Sequence, residues 1–321
     1  MMVQDPAPAV TGLSRILAIF SRLPLALLQG LARLVARLLG SLSSAKALKT
    51  VRRNLQIAFP ELSPEQHQQL AKQSVQAQFQ SMLEFVKVWG SPPQFSIDQI
   101  HQVQGQELLT EAIGSKQGLI LVLPHFGSWE IMNAWLNQFT ALVIMYKPSQ
   151  NPALDQFVLK ARSRLQATLV PTNESGVRQI FRALKQGGVT AILPDHTPET
   201  SGGIYSRFFG CPVLTSTLVS RLAQKTQCHV LQLSCMRQPN HAGFCITIEP
   251  VDPRIHSADL QQSVDALNQS IEQLVRRHPV HYHWSYKRFK ANPLLENIYY
   301  VADKQIAPTV AKAQQADSPS P

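Results

Sequence analysis

From residue 93 onward the chain alternates between short apolar runs and longer amphipathic stretches. The runs at 119–123, 141–145, 167–170, 189–193, 229–233 and 244–248 have strand length and no helical periodicity. Around them, segments 107–113, 129–138, 153–165, 175–186, 215–226 and 258–277 repeat apolar positions at helical spacing. This alternation predicts an α/β fold, a mainly parallel sheet flanked by helices, with ligands gathering at the carboxyl ends of the strands. Residues 46–89 read as helical with a break at "FPELSPEQ". There Ser63 suits an N-cap, Pro64 the first helical position, and Gln66 the return arm of a capping box. One α/β domain is therefore expected over 46–301, including the helices of 46–89. Residues 1–12 and the polar tail 302–321, which ends "QQADSPSP", are expected to be disordered.

The stretch 13–45 follows a different pattern. "LSRILAIFSRLPLALLQGLARLVARLL" is apolar but interrupted by Arg15, Arg22, Arg33 and Arg37. Its longest charge-free run, Leu23 to Ala32, falls short of the ~20 residues of a spanning helix. At about 100° per residue, Arg22, Arg33 and Arg37 lie within roughly 60° of one another, near the azimuth of Arg15. A cationic stripe on an otherwise apolar helix predicts a segment lying in the interface of an anionic bilayer. Pro24 should split it. Packing on the protein's own core and a tilted spanning helix are the alternatives.

Charge adds weight to an anionic partner, since 30 Lys+Arg stand against 20 Asp+Glu, for a formal +10. There is no zinc-finger spacing, RRM-type aromatic run or long basic block, so nucleic acid is not the expected partner. Cys211, Cys228, Cys235 and Cys245 show neither C-x-x-C spacing nor a disulfide framework and read as free thiols in a core. No small-residue cleavage site follows an apolar core, so no signal peptide is expected.

Candidate chemistry collects where the strands end. In "LILVLPHFGSWE" an apolar run delivers His125, and Glu130 follows five positions later. Among ten histidines and twenty acids in 321 positions, about 0.6 such pairs are expected by chance, so the spacing alone is weak. Its position just past a strand strengthens it. Ser128 is suited to cap a helix beginning at Trp129, and a first-turn Glu130 would then meet the loop histidine, holding one imidazole tautomer and supporting its cation. With no nucleophile elbow nearby, direct attack by a substrate hydroxyl is the natural chemistry. A core histidine with an exposed glutamate is the plain alternative. "LPDHTPE" at another strand end supplies Asp195 as acceptor or orienter, with His196 beside it. Lys160, Arg162 and Arg164 form a positive cluster for an oxyanion or phosphate, or simply a solvated basic face. His281 and His283 alternate in "HYHW", read as a strand; without a third ligand they are assigned to packing rather than metal.

The ordered series "RRNLQIAFPELS", "HFGSWE", "YKPSQNP", "GVRQIFRALKQGG", "LPDHTPE", "FFG" and "HYHWSYKRFKANP" resembles the lipid A biosynthesis acyltransferases. These are late acyltransferases of the glycerophospholipid acyltransferase superfamily, and the similarity spans about residues 13 to 295. The resemblance implies transfer of an acyl chain from acyl carrier protein to a hydroxyl of a lipid A precursor at the cytoplasmic face of the bacterial inner membrane. It implies a membrane-anchoring N-terminus and needs no metal or other cofactor. It places the family's H-x-x-x-x-D/E dyad on His125 and Glu130, its arginine on Arg162 and its aspartate on Asp195. Arg164, Arg178, Lys287 and Arg288 are the further basic positions assigned to substrate, the last two in "KRFK", which would meet phosphate or the acidic carrier protein. Lys147 departs from the family's usual arginine, which keeps the charge but loses the bidentate fork. A tunnel for the acyl chain is expected. Another glycolipid or a lysophospholipid as acceptor, hydrolysis by the same dyad, and a non-catalytic protein that binds anionic lipid remain the competing readings.

Overall fold

The computed structural model describes residues 12–41, 46–239, 242–295, 298–302 and 305–315. Helix α1 (Gly12–Arg22) and helix α2 (Leu25–Ser41) meet at Pro24 with a bend of 118°. Proline has no N–H to continue the ladder, which is why one apolar stretch becomes two helices. Helix α3 (Lys46–Ala58) follows, then α4 (Pro64–Gly90), which opens with the expected capping box between Ser63 and Gln66. A short α5 (Pro93–Asp98) leads into the sheet.

The sheet segments alternate as β1 (Ile100–Gln104), α6 (Gln106–Gly114), β2 (Leu119–Val122), α7 (Met132–Leu136), β3 (Leu142–Tyr146), α8 (Pro152–Arg162), β4 (Thr168–Pro171), α9 (Glu174–Lys185) and β5 (Val189–Ile192). Then come a hairpin, β6 (Gly203–Phe208) and β7 (Cys211–Ser216), followed by α10 (Leu218–Thr226), β8 (His229–Arg237), β9 (Phe244–Pro250), α11 (Leu260–Arg277) and α12 (Ile306–Gln315). Seven strands form one sheet in the order β1-β9-β8-β2-β5-β3-β4, in which only the β8–β9 pairing is antiparallel. The expected α/β architecture is thus present.

β2 and β5 are buried at every position, because helices cover both faces of a parallel sheet. Ile120 and Val122 face a cluster containing Ile180 and Leu184 of α9, Leu222 of α10 and Leu267 of α11. Leu119, Leu121 and Leu123 face the opposite cluster, with Leu109 of α6 and Met132 and Trp135 of α7; Leu25 of α2 and Val88 of α4 pack on its margin. Each fully buried side chain of this size contributes roughly 1.5–3 kcal/mol. All four cysteines are free and buried in these layers.

Several segments differ from expectation. The β6–β7 hairpin turns through Phe209 and Gly210, both at positive φ, a two-residue geometry usually signalled by Asn-Gly; a phenylalanine there hides it. Segment 129–138 is not one helix but a 3-10 turn at Trp129–Ile131 followed by α7, and the Ser128 side chain caps neither. "HYHW" is not a strand, for His281 closes a 3-10 turn and His283 lies in a loop. The expected disordered tail contains α12, which buries Ile306, Val310 and Ala313 at helical spacing. Residues 1–11 and 316–321 lie outside the described residues.

Candidate active site

β2 and β5 are neighbours in register, with Val122 opposite Ile192. Each strand leaves the sheet through the same kind of sequence, Val122-Leu123-Pro124-His125 and Ile192-Leu193-Pro194-Asp195. Leu123 N–H still donates to Ile192 O at 2.9 Å; the proline after it has no N–H, so the ladder stops there. Equal offsets from paired residues bring His125 and Asp195 out side by side at the carboxyl edge.

The two residues form a doubly bonded unit. Asp195 Oδ2 accepts the His125 backbone N–H at 3.0 Å, and Oδ1 lies 2.8 Å from Nδ1. Asp195 is 2% exposed while the His125 side chain keeps 20%. Burial alone would raise the Asp195 carboxyl, but the charge and hydrogen bond of His125 outweigh it and hold the carboxyl well below the usual range. An ionised carboxylate only accepts, so it fixes the proton on Nδ1 and leaves Nε2 with a lone pair.

Glu130 was expected against His125, and the structure corrects this. Its Oε1 accepts from Arg162 Nη2 at 2.6 Å, and its Oε2 accepts from Trp89 Nε1 at 2.9 Å and Asn133 Nδ2 at 3.0 Å. Ser128 does not cap a helix here; its hydroxyl donates instead to the buried Glu84 carboxylate of α4. Glu84 also holds Arg237 through Nε at 2.5 Å and Nη2 at 2.8 Å, and accepts from Gln29 Nε2 at 2.7 Å. That satisfied buried network ties α2, α4 and β8 to the turn that carries His125. Gly127 makes the turn possible, since at φ +59° a Cβ would lie 2.1 Å from Cys235 O.

Aromatic rings surround the imidazole. His196 lies parallel to it at 3.7 Å between centroids, and Tyr286 stacks on the far side of His196 at 3.9 Å. Trp129 meets His125 edge-on at 5.1 Å. Segment 281–283 runs beside the turn that carries His125, with Gly127 N–H donating to His281 O at 2.9 Å and His283 N–H to His125 O at 3.0 Å. Burial, and then the neighbouring His125, push the His283 imidazole down to about 3. Neither His196 nor His283 was assigned a site role from the sequence. The parallel endings "LPH" and "LPD" were the available signal for the His125–Asp195 pair.

The other assigned residues spread apart. Arg162, at the end of α8, pairs with Glu130 while its buried Nε–H meets no acceptor among the described residues. Arg164 donates to Ser91 O and lines, with Glu130, Arg162 and Trp89, a small depression. Arg178 is not at this edge pocket; it pairs with exposed Glu174 at 3.3 Å and lines a depression between α9 and α10. Lys287 lies over the Tyr299 and Tyr300 rings at 5.2 and 4.8 Å. Arg288, expected on substrate, is instead 1% exposed and donates to Leu214 O at 2.7 Å and Thr215 Oγ1 at 2.8 Å. It braces the hairpin, because "KRFK" turns inward to bury Phe289 as well. Tyr146 O–H donates to Asp155 at 2.5 Å, and Ser149 N–H to the same oxygen at 2.7 Å, which shapes the "YKPSQNP" turn and leaves Lys147 exposed.

The arrangement suits proton removal from a hydroxyl held at the carboxyl edge of the sheet. The family model described as bacterial lipid A biosynthesis acyltransferase matches residues 11–291. The lipid A biosynthesis palmitoleoyltransferase of Escherichia coli (strain K12) is 24% identical over 254 residues, covering 78% of this chain and 81% of that protein. The lauroyltransferase of the same strain is 24% identical over 246 residues, with 76% and 79% covered. A phosphatidylinositol mannoside acyltransferase of Mycobacterium tuberculosis (strain ATCC 25618 / H37Rv) is 26% identical over 190 residues, with 56% and 57% covered.

Proposed function

Because the chain belongs to the bacterial lipid A biosynthesis acyltransferases, we propose that it moves a fatty acyl group from an acyl carrier protein thioester to a hydroxyl of a lipid A precursor, with His125 as base and Asp195 as its orienting carboxylate. The observation that carries this is the His125–Asp195 pair, which leaves Nε2 free at a partly exposed edge. Nε2 takes the hydroxyl proton as the oxygen attacks the thioester carbonyl. The tetrahedral intermediate then expels the thiolate, which recovers that proton from the imidazolium. Arg162, held by Glu130, supplies positive charge near the oxyanion or a sugar phosphate. An apolar depression of about 240 Å³ between α3 and α4, lined by Val51, Val75, Phe79 and Met82, offers a surface for the acyl chain in place of the expected tunnel. It reaches Ser285, next to the Tyr286 ring that stacks on His196.

The same reading seats the protein on the cytoplasmic face of the inner membrane. α1 turns Leu17 and Ser21 inward and α2 Leu28, Gln29, Ala32 and Ala36, while the two expose Ile16, Ile19, Leu34 and Leu38 along with Arg15, Arg22 and Arg37. Such a surface suits an anionic bilayer interface. No single helix among the described residues is long and apolar enough to cross a membrane; the bent pair passes by length and composition only together.

The test is purified protein with acyl carrier protein thioester and a lipid A precursor, followed by mass spectrometry of the lipid. Acylated product from the native chain and none from folded His125→Ala is expected. Near-normal product from that variant would refute the base assignment, and donor loss without acylated lipid would mean hydrolysis instead. The mannoside-acyltransferase relative favours one second reading, a different glycolipid acceptor, so phosphatidylinositol mannoside belongs in the same assay.

A further inference from the structure

We propose that the groove between α9 and α10 is a docking surface for an acidic amphipathic helix on a soluble protein. The groove encloses about 460 Å³. Its floor is apolar, with Val177 and Phe181 one turn apart on α9 and Leu218 and Leu222 one turn apart on α10. Its rim is cationic by the same spacing, with Arg178 and Arg182 on one side and Arg221 and Lys225 on the other. All four are exposed. Glu174 pairs with Arg178 where both side chains are mostly in water, so it cancels little of the field. Among the described residues no carboxylate forms an ion pair with Arg182, Arg221 or Lys225. Two apolar stripes flanked by cations complement a helix with an apolar ridge and acidic shoulders.

Position separates a soluble partner from the bilayer. α9 and α10 cover the sheet face that carries Ile120 and Val122, whereas Leu25 of α2 packs with the cluster on the opposite face. A membrane seated on α1 and α2 therefore leaves the groove to the aqueous side. Both helices also begin at the carboxyl edge of the sheet, since α9 leaves the end of β4 and α10 runs back to the start of β8. That edge bears His125 and Asp195. Resting on the acyl-transfer reading above, the partner that docks here is the protein delivering the thioester.

The test uses the full chain and fluorescently labelled acyl carrier protein, with affinity read by anisotropy at low salt. Arg182→Glu with Lys225→Glu is compared with a matched reversal elsewhere, Lys72→Glu with Lys312→Glu. The groove variant should bind at least about tenfold more weakly and raise KM for the carrier thioester similarly, while the matched variant moves less than about twofold. KM for the corresponding coenzyme A thioester should stay within about twofold in both. Sedimentation with phosphatidylglycerol vesicles should be unaffected. No carrier binding by the native chain, or equal binding by the groove variant, would overturn the proposal. Loss of vesicle binding with carrier affinity retained would also overturn it, by assigning the groove to lipid. Carrier binding that depends on the groove, without acyl transfer, would instead sink the catalytic reading and leave the docking surface standing.

Discussion

Replacing Asp195 by asparagine separates the two carboxylates that compete for the role of orienter. The native carboxylate accepts twice, from the His125 backbone N–H at 3.0 Å and at Nδ1 at 2.8 Å. An asparagine has one accepting oxygen and one donating nitrogen in the same plane. If its oxygen stays on the backbone N–H, its NH2 faces Nδ1 and forces the proton to Nε2, so the ring no longer takes a proton from substrate. If it flips, the backbone N–H is left facing a donor. Loss of the correct tautomer and of the counter-charge costs roughly 10³–10⁴-fold in kcat, or about 4–5.5 kcal/mol. The assay is initial rate with saturating carrier thioester and lipid acceptor, comparing Asp195→Asn with Glu130→Gln. Asp195→Asn should lose the larger factor. A threefold effect or less, alongside collapse of the Glu130→Gln enzyme, would refute the reasoning and return the role to Glu130. Stability gives a second readout. The folded-state carboxyl is depressed, so its contribution is complete above the unfolded value near 3.8 and is lost as pH falls towards the folded one. The melting difference between native and variant should therefore shrink only below about pH 4.

Arg162→Ala leaves Glu130 deep in the fold with only neutral partners and should cost about 3 kcal/mol in urea unfolding; adding Glu130→Gln should recover much of it, and strictly additive losses would contradict the pairing. Gly127→Ala drives a methyl into Cys235 O at positive φ and should lower the melting temperature while abolishing transfer, and a native-like melt would show that the turn is not as tight as described. His283 is neutral in the fold with its imidazole at about 3, so the unfolded chain takes up an extra proton between roughly pH 6.5 and 3 and stability falls as pH falls through that window. His283→Phe should flatten this loss, which amounts to roughly 3–5 kcal/mol at its acid end; an unchanged stability–pH profile would count against a buried neutral ring.

The α/β class, six of the seven strands of the core sheet (all but the polar β1), the capping box at Ser63 and the break at Pro24 were legible because each depends on residues within a turn or two of one another. Apolar runs must be buried and a proline cannot donate, wherever the segment ends up. His125 and Asp195 were also visible as strand-end residues, and the family motifs raised their importance. What the local pattern could not decide was their contact. They are 70 residues apart, and they meet because β5 returns to lie beside β2, with β3 outside it. The spacing of five pointed to Glu130, but whether that side chain reaches back depends on how Ser128 is used, and Glu84 in α4 takes its hydroxyl. Arg288 reads as a surface cation until β7 is packed over it, and "IAPTVAKAQQ" reads as tail until its three apolar positions find the core. Sequence determined the elements and the inventory of chemistry, since those follow from local burial and backbone rules. Tertiary structure chose the partners, since strand order and competition for buried hydrogen bonds exist only once distant segments share one core.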